Sequence, residues 1–246
     1  AFVVYPLAVV AHGGKLVTVP ARAWTHDLDA MAAAVTPATR IVFIANPNNP
    51  TGTWVTERAL TRFLDRLPEH VVAVLDEAYF EYLVEPDYPN GITLLQRYPN
   101  LVVTRTFSKV YGLAGLRIGY CVSHPDIADL LNRVRQPFNV SSVGLECAEA
   151  ALADQEYVRR SREINDQGMR QLQQGLDQLG IAYIPSGGNF LCVDFDRPAA
   201  PIYEALLRLG VIVRPIGGYG MPNHLRVTVG LHEENARFLD ALARVV

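Results

Sequence analysis

The sequence predicts an α/β fold: a three-layer large domain built on a mostly parallel sheet, followed by a smaller α+β C-terminal domain. Three observations carry this. Short branched apolar runs recur through the first half of the 246-residue chain. Helical segments separate those runs, the alternation of a sheet covered on both faces with right-handed crossovers. From about residue 155 the alternation changes character, so the expected domains are 1–154 and 155–246.

Taken in order, Arg40-Ile-Val-Phe-Ile-Ala45 is the first strand-like run, and it ends in the turn-rich Asn46-Pro-Asn-Asn-Pro-Thr-Gly52. Thr56 to Leu67 follows with Leu60, Phe63, Leu64 and Leu67 at helical spacing. Val71-Val-Ala-Val-Leu75 is a continuous apolar strand stopped by Asp76-Glu77, and Leu101-Val-Val-Thr-Arg105 a third, ending at Thr106-Phe-Ser-Lys109. Pro125 opens a helix to about Arg135, and residues 142–179 read as helical with a break at Asp154-Gln155. The remainder predicts strands at 189–195, 211–214 and 224–229 with helices at 201–209 and 232–246.

Composition narrows the function classes. Acidic and basic residues, 25 against 22, are mixed along the chain, and no basic block points to nucleic acid or an anionic membrane. No apolar run reaches the roughly 18 residues a membrane helix needs. Cys121, Cys147 and Cys192 lie far apart in apolar stretches, which predicts buried free thiols and suits a reducing cytoplasm. The six histidines show no metal-ligand spacing, so no metal is expected. The opening Ala1-Phe-Val-Val-Tyr-Pro6 reads as the middle of a domain, and the expectation is that an N-terminal portion precedes it.

Chemistry concentrates at the strand ends. Asn49, Asp76 and Lys109 each follow the carboxyl end of a different predicted strand, where open α/β sheets bind ligands. A lysine there must be paired, snorkelling or used covalently, and condensation with an aldehyde requires its neutral amine. Thr106, Ser108 and Arg117 surround it with two hydroxyls and a guanidinium, a donor set suited to a phosphate dianion. Asp76, at the edge of an apolar strand, needs a cationic partner, and a pyridinium nitrogen would serve. Tyr79 and the Asn49 amide can reach a phenolate oxygen, and Phe2 can stack on a ring. Singly, each residue has an ordinary reading: solvated lysine, surface arginine, capping aspartate, loop asparagine, core aromatic.

The ordered set is more specific. Ala45-Asn-Pro-Asn-Asn-Pro-Thr-Gly-Thr53, Asp76-Glu-Ala-Tyr79, Arg105-Thr-Phe-Ser-Lys-Val-Tyr-Gly-Leu-Ala-Gly-Leu-Arg117 and Leu225-Arg-Val-Thr-Val-Gly230 resemble the fold-type I aminotransferases, which depend on pyridoxal 5′-phosphate (PLP). More narrowly they resemble the histidinol-phosphate aminotransferases of histidine biosynthesis, from Phe2 to the C-terminus. The resemblance implies a PLP-transferase large domain with Lys109 as the Schiff-base lysine, Asp76 on the pyridine nitrogen, and Asn49 and Tyr79 on the phenolate oxygen. It further implies Thr106, Ser108 and Arg117 on the cofactor phosphate, Phe2 as the stacking aromatic, and Arg226 and Arg214 as substrate arginines. Amino transfer between glutamate and imidazole acetol phosphate is the implied reaction, in a cytoplasmic homodimer with shared active sites. The family's glycine-rich phosphate loop has no counterpart in these residues. The same motifs also serve aromatic aminotransferases and a threonine-phosphate decarboxylase, and a non-catalytic homologue remains a reading from another class.

Overall fold

A computed structural model describes all 246 residues. The chain opens with helix α1 (Val4–Ala11), then α2 (Leu28–Ala33) and strand β1 (Ile41–Ala45). Next come α3 (Glu57–Leu64), β2 (Val72–Asp76), a single turn α4 (Gly91–Leu94), β3 (Leu101–Thr106) and β4 (Gly119–Ser123). These strands form one sheet in the order β1-β2-β3-β4, parallel except for β4, which runs antiparallel to β3. The register sets Ala45 beside Asp76 and Asp76 beside Thr104, so β1 and β2 end level and β3 runs on to Thr106. Ile44, Leu60, Phe63, Leu75, Leu101 and Val103 bury their side chains in the core beneath α2, α3 and α4. At 25 cal/mol per Å² of apolar surface, each such side chain contributes about 1.5–3 kcal/mol.

Helix α5 (Pro125–Val134) starts at a proline in its first turn, where the missing N–H has no intrahelical partner to lose. Helices α6 (Ser142–Ala153) and α7 (Gln155–Gln178) meet at Asp154. Its backbone (φ −88°, ψ 70°) leaves the helical region, and its carboxylate accepts the Tyr157 N–H at 2.9 Å, so one residue ends the first helix and caps the second. The second sheet is built from β5 (Ala182–Ile184), β6 (Phe190–Asp194), β7 (Arg214–Pro215) and β8 (His224–Thr228), with α8 (Ala200–Arg208) and α9 (His232–Ala243). It is antiparallel, in the order β5-β6-β8-β7, and Leu172, Leu191, Leu206, Leu225 and Leu242 fill its own core. No helix is long and apolar enough to cross a membrane.

The structure corrects several expectations. The predicted strand at 211–214 is only Arg214–Pro215, because β7 is a two-residue edge paired to β8 alone. The helix expected to Leu67 ends at Leu64, and that expected to the last residue ends at Ala243. Strand β5 was not anticipated. Of the three cysteines only Cys192 is buried; Cys121 is exposed and Cys147 half-buried. Their apolar neighbours misled: strand alternation turns Tyr120 and Val122 to one face of edge strand β4 and Cys121 to the other, open face.

Candidate active site

The loop after β1 is held by its own asparagines. Asn46, fully buried, both donates to the Val55 carbonyl (3.3 Å) and accepts the Val55 N–H (2.8 Å), while Asn48 donates to the Thr51 hydroxyl at 2.8 Å. The Asn46–Pro47 and Asn49–Pro50 peptide bonds are cis. This loop presents Asn49, which is 8% exposed, toward the second sheet, and there Arg226 Nη1 donates to Asn49 Oδ1 at 2.6 Å. With Oδ1 occupied, the Asn49 amide nitrogen is left as a donor.

Asp76 is the last residue of β2. Its Oδ1 accepts the Ala78 N–H at 3.1 Å, and its Oδ2 accepts the Tyr5 hydroxyl at 2.5 Å. Burial pushes its carboxyl above the usual range, with the Tyr5 hydrogen bond as the largest opposing influence. Tyr79, 4% exposed, packs edge-on to Phe190 at 5.2 Å, and burial raises its phenol to about 12.

Lys109 follows β3 by three residues and sets its Nζ 5.3 Å from the centre of the Tyr79 ring. Burial lowers its pKa, and the positive charges of Arg226 and Arg117 lower it further. This is the environment a lysine needs in order to present a neutral amine near neutrality. The Ser108 N–H donates to the Thr106 hydroxyl at 3.1 Å. Arg117 is exposed, in a left-handed conformation (φ 54°), and donates to the Ala114 carbonyl at 3.0 Å.

Arg214 and Arg226 are register partners on β7 and β8. Arg214 is exposed. The Arg226 guanidinium lies 5.0 Å from the Phe190 ring, and its Nε is a buried donor without a partner.

A cavity of about 170 Å³ brings together Phe2, Asn49, Asp76, Tyr79, Lys109, Arg214 and Arg226 out of the expected set. Thr106, Ser108 and Arg117 are not among its walls; the first two flank Lys109 on the β3 side. Tyr5, Ile216 and Tyr219 line it without having been singled out from sequence. Nothing local in the sequence marked Tyr5, whose hydroxyl partner lies 71 residues away. Beside the cavity, buried Glu77 pairs with Arg105 (2.7 and 2.9 Å) and accepts the Gly91 N–H at 2.7 Å, another arrangement the sequence reading passed over.

Comparison with known proteins gives the family and the fold. The family "Aminotransferase class I and II" matches residues 1–242. Histidinol-phosphate aminotransferase 2 of Pseudomonas fluorescens (strain Pf0-1) is 59% identical over all 246 residues, and that of Pseudomonas aeruginosa is 58% identical. The chain spans 66% and 67% of their respective lengths. Among solved structures, the histidinol-phosphate aminotransferase of Sinorhizobium meliloti in complex with pyridoxal-5′-phosphate superposes with a TM-score of 0.93 at 34% identity, covering 99% of this chain and 68% of that one. A Thermus thermophilus aspartate aminotransferase mutant reaches 0.87 at 26% identity, covering 100% of this chain and 68% of its own.

Proposed function

The chain belongs to the aminotransferase class I and II family, and on that premise we propose that it carries the PLP site of a histidinol-phosphate aminotransferase. The observation that carries this is one cavity holding a lysine of lowered pKa, a buried carboxylate and an arginine with an unused buried donor. The donor set fits the cofactor. Asp76 matches a ring N–H cation, the free amide of Asn49 and the phenol of Tyr79 match the phenolate oxygen, and Phe2 can cover a ring face. Thr106, Ser108 and Arg117 are assigned to the phosphate. When bound, PLP supplies an aldehyde for condensation and an electron-withdrawing ring.

The residues then divide the work. Lys109 would supply the amine that condenses with the cofactor aldehyde and, when free, the base that moves the substrate Cα proton. Partial burial and the nearby Arg226 and Arg117 charges lower its pKa, which favours the neutral amine. Asp76 holds positive charge on the ring nitrogen, which favours electron withdrawal from the reacting carbon. Arg226, fixed by Asn49, receives the substrate's carboxylate, and exposed Arg214 receives a second anionic group: the distal carboxylate of glutamate or a phosphate. The relatives' names support histidinol phosphate and 2-oxoglutarate as one substrate pair, with glutamate and imidazole acetol phosphate as the other. We place the domain boundary at Asp154, and assign a cytoplasmic homodimer with shared sites.

The test is an absorbance spectrum with PLP, then borohydride reduction and peptide mass mapping. A visible band and a pyridoxyl adduct on Lys109 are expected, with Lys109→Ala losing both the adduct and transamination. Near-normal turnover in Lys109→Ala would remove the proposal. A far lower KM for phenylalanine than for histidinol phosphate would move the substrate to the aromatic class.

A further inference from the structure

Tyr5 links two parts of the molecule that the sequence keeps apart. It sits on α1, a helix with no buried residue of its own, and its ring stacks on Phe43 of β1 at 4.8 Å and 8°. That stack aims the hydroxyl at Asp76, 71 residues away, at 2.5 Å. The hydroxyl donates and the carboxylate oxygen accepts, a bond that favours the charged form of Asp76. Phe2, just before the helix, meets the Tyr5 ring edge-on at 6.1 Å and lines the same cavity.

Resting on the cofactor reading above, we infer that Tyr5 is a positioning residue for Asp76: its hydroxyl occupies Oδ2 and holds the carboxylate charged and oriented toward the cofactor's ring nitrogen.

The groups facing Asp76 leave this task to Tyr5. Lys109, from the loop after β3, favours the charged form more weakly than the hydrogen bonds do, and the other bond to the carboxylate comes from the Ala78 N–H at 3.1 Å. Glu77 and Tyr79, on the same segment, offer it no donor. Burial works against the charge, and the Tyr5 bond is the largest force restoring it. The phenol in turn stays protonated, because burial and the adjacent carboxylate raise its pKa. It is therefore a permanent donor, and Oδ1 keeps its remaining lone pair for a second partner.

The experiment uses the full-length protein as wild type, Tyr5→Phe, Asp76→Asn and the double variant. Two quantities are read: the PLP dissociation constant, and the ¹⁵N chemical shift of the ring nitrogen in labelled PLP. Tyr5→Phe keeps the stack on Phe43 and removes only the oxygen. A hydrogen bond to a charged group contributes about 1.5–3 kcal/mol, so the dissociation constant should rise roughly ten- to hundredfold. The ring-nitrogen signal should move toward the unprotonated position. In the Asp76→Asn background, adding Tyr5→Phe should change neither quantity. Phe43→Leu, which loosens the stack and keeps the hydroxyl, should shift both less than Tyr5→Phe does. A Tyr5→Phe protein indistinguishable from wild type overturns the inference, as does an equal loss in the Asp76→Asn background. Wild-type protein that takes up no PLP overturns the cofactor reading itself, and the inference with it.

Discussion

At the scale of single residues, the carboxylates at the end of β2 show how burial sorts neighbours into different tasks. Asp76 faces the cavity, while Glu77 faces inward with no exposure, bound by Arg105, itself 10% exposed on its side chain, and by the Gly91 N–H. Arg105 also lies 3.6 Å from the centre of the Phe80 ring, so its charge is matched on two sides. Removing one member of such a pair leaves an uncompensated charge, at a cost of about 3–5 kcal/mol. Glu77→Gln is the sharper test, since its shape is conserved and its amide can turn N–H donors toward a guanidinium that only donates. We expect a clear drop in the urea midpoint with an unchanged m-value; a midpoint equal to wild type would show that the pair contributes nothing. Sequence disclosed Asn49, Asp76 and Lys109 because each follows a strand end, a position that needs only local patterning. It could not disclose Tyr5 or the Glu77–Arg105 pair, whose meaning lies in partners 71 and 28 residues away.

At the scale of elements, the Asn49-Pro-Thr-Gly52 segment is where a loop reads as a motif and acts as a joint. Gly52 has φ +78°, and a Cβ there would come within 2.9 Å of the Ser186 Cα, with the serine side chain nearer still. Its carbonyl accepts the Gly187 N–H at 2.8 Å, tying the loop of the first sheet to the β5–β6 connection of the second. Gly52→Ala therefore meets both a left-handed backbone penalty and backbone overlap, together roughly 2–4 kcal/mol. It should lower the thermal midpoint and weaken PLP binding through displaced Asn49. Gly115→Ala, in open space and without positive φ, should do neither. Equal behaviour of the two variants would refute the joint. Elements of strong period or clear capping were legible, as the Asp154 break between α6 and α7 shows. Short edge pieces such as β5 and β7 were not, because two or three residues carry no period and pair only through their neighbours.

At the scale of the whole molecule, the dependence of stability on pH follows from groups titrating in opposite senses. His26 Nε2 lies 3.1 Å from the Ala45 carbonyl, and burial pushes its pKa down to about 4. The unfolded chain, with histidine near 6.5, then binds more protons between about pH 6.5 and 4, and stability falls as pH falls through that window. Glu81 runs the other way. Burial raises it to about 6 from an ordinary 4.5, so the folded chain binds more protons between those values and stability rises as pH falls. Asp76 and Glu77, also raised by burial, act in the same sense as Glu81. Opposed contributions should leave the wild-type urea midpoint nearly level from pH 6.5 to 4.5. Glu81→Gln removes one restoring group, and its midpoint should fall more steeply with acid than that of the wild type. His26→Asn removes the destabilising one, and its midpoint should level off or rise over the same range. Parallel profiles for all three proteins would mean that these two groups do not govern the acid side of stability.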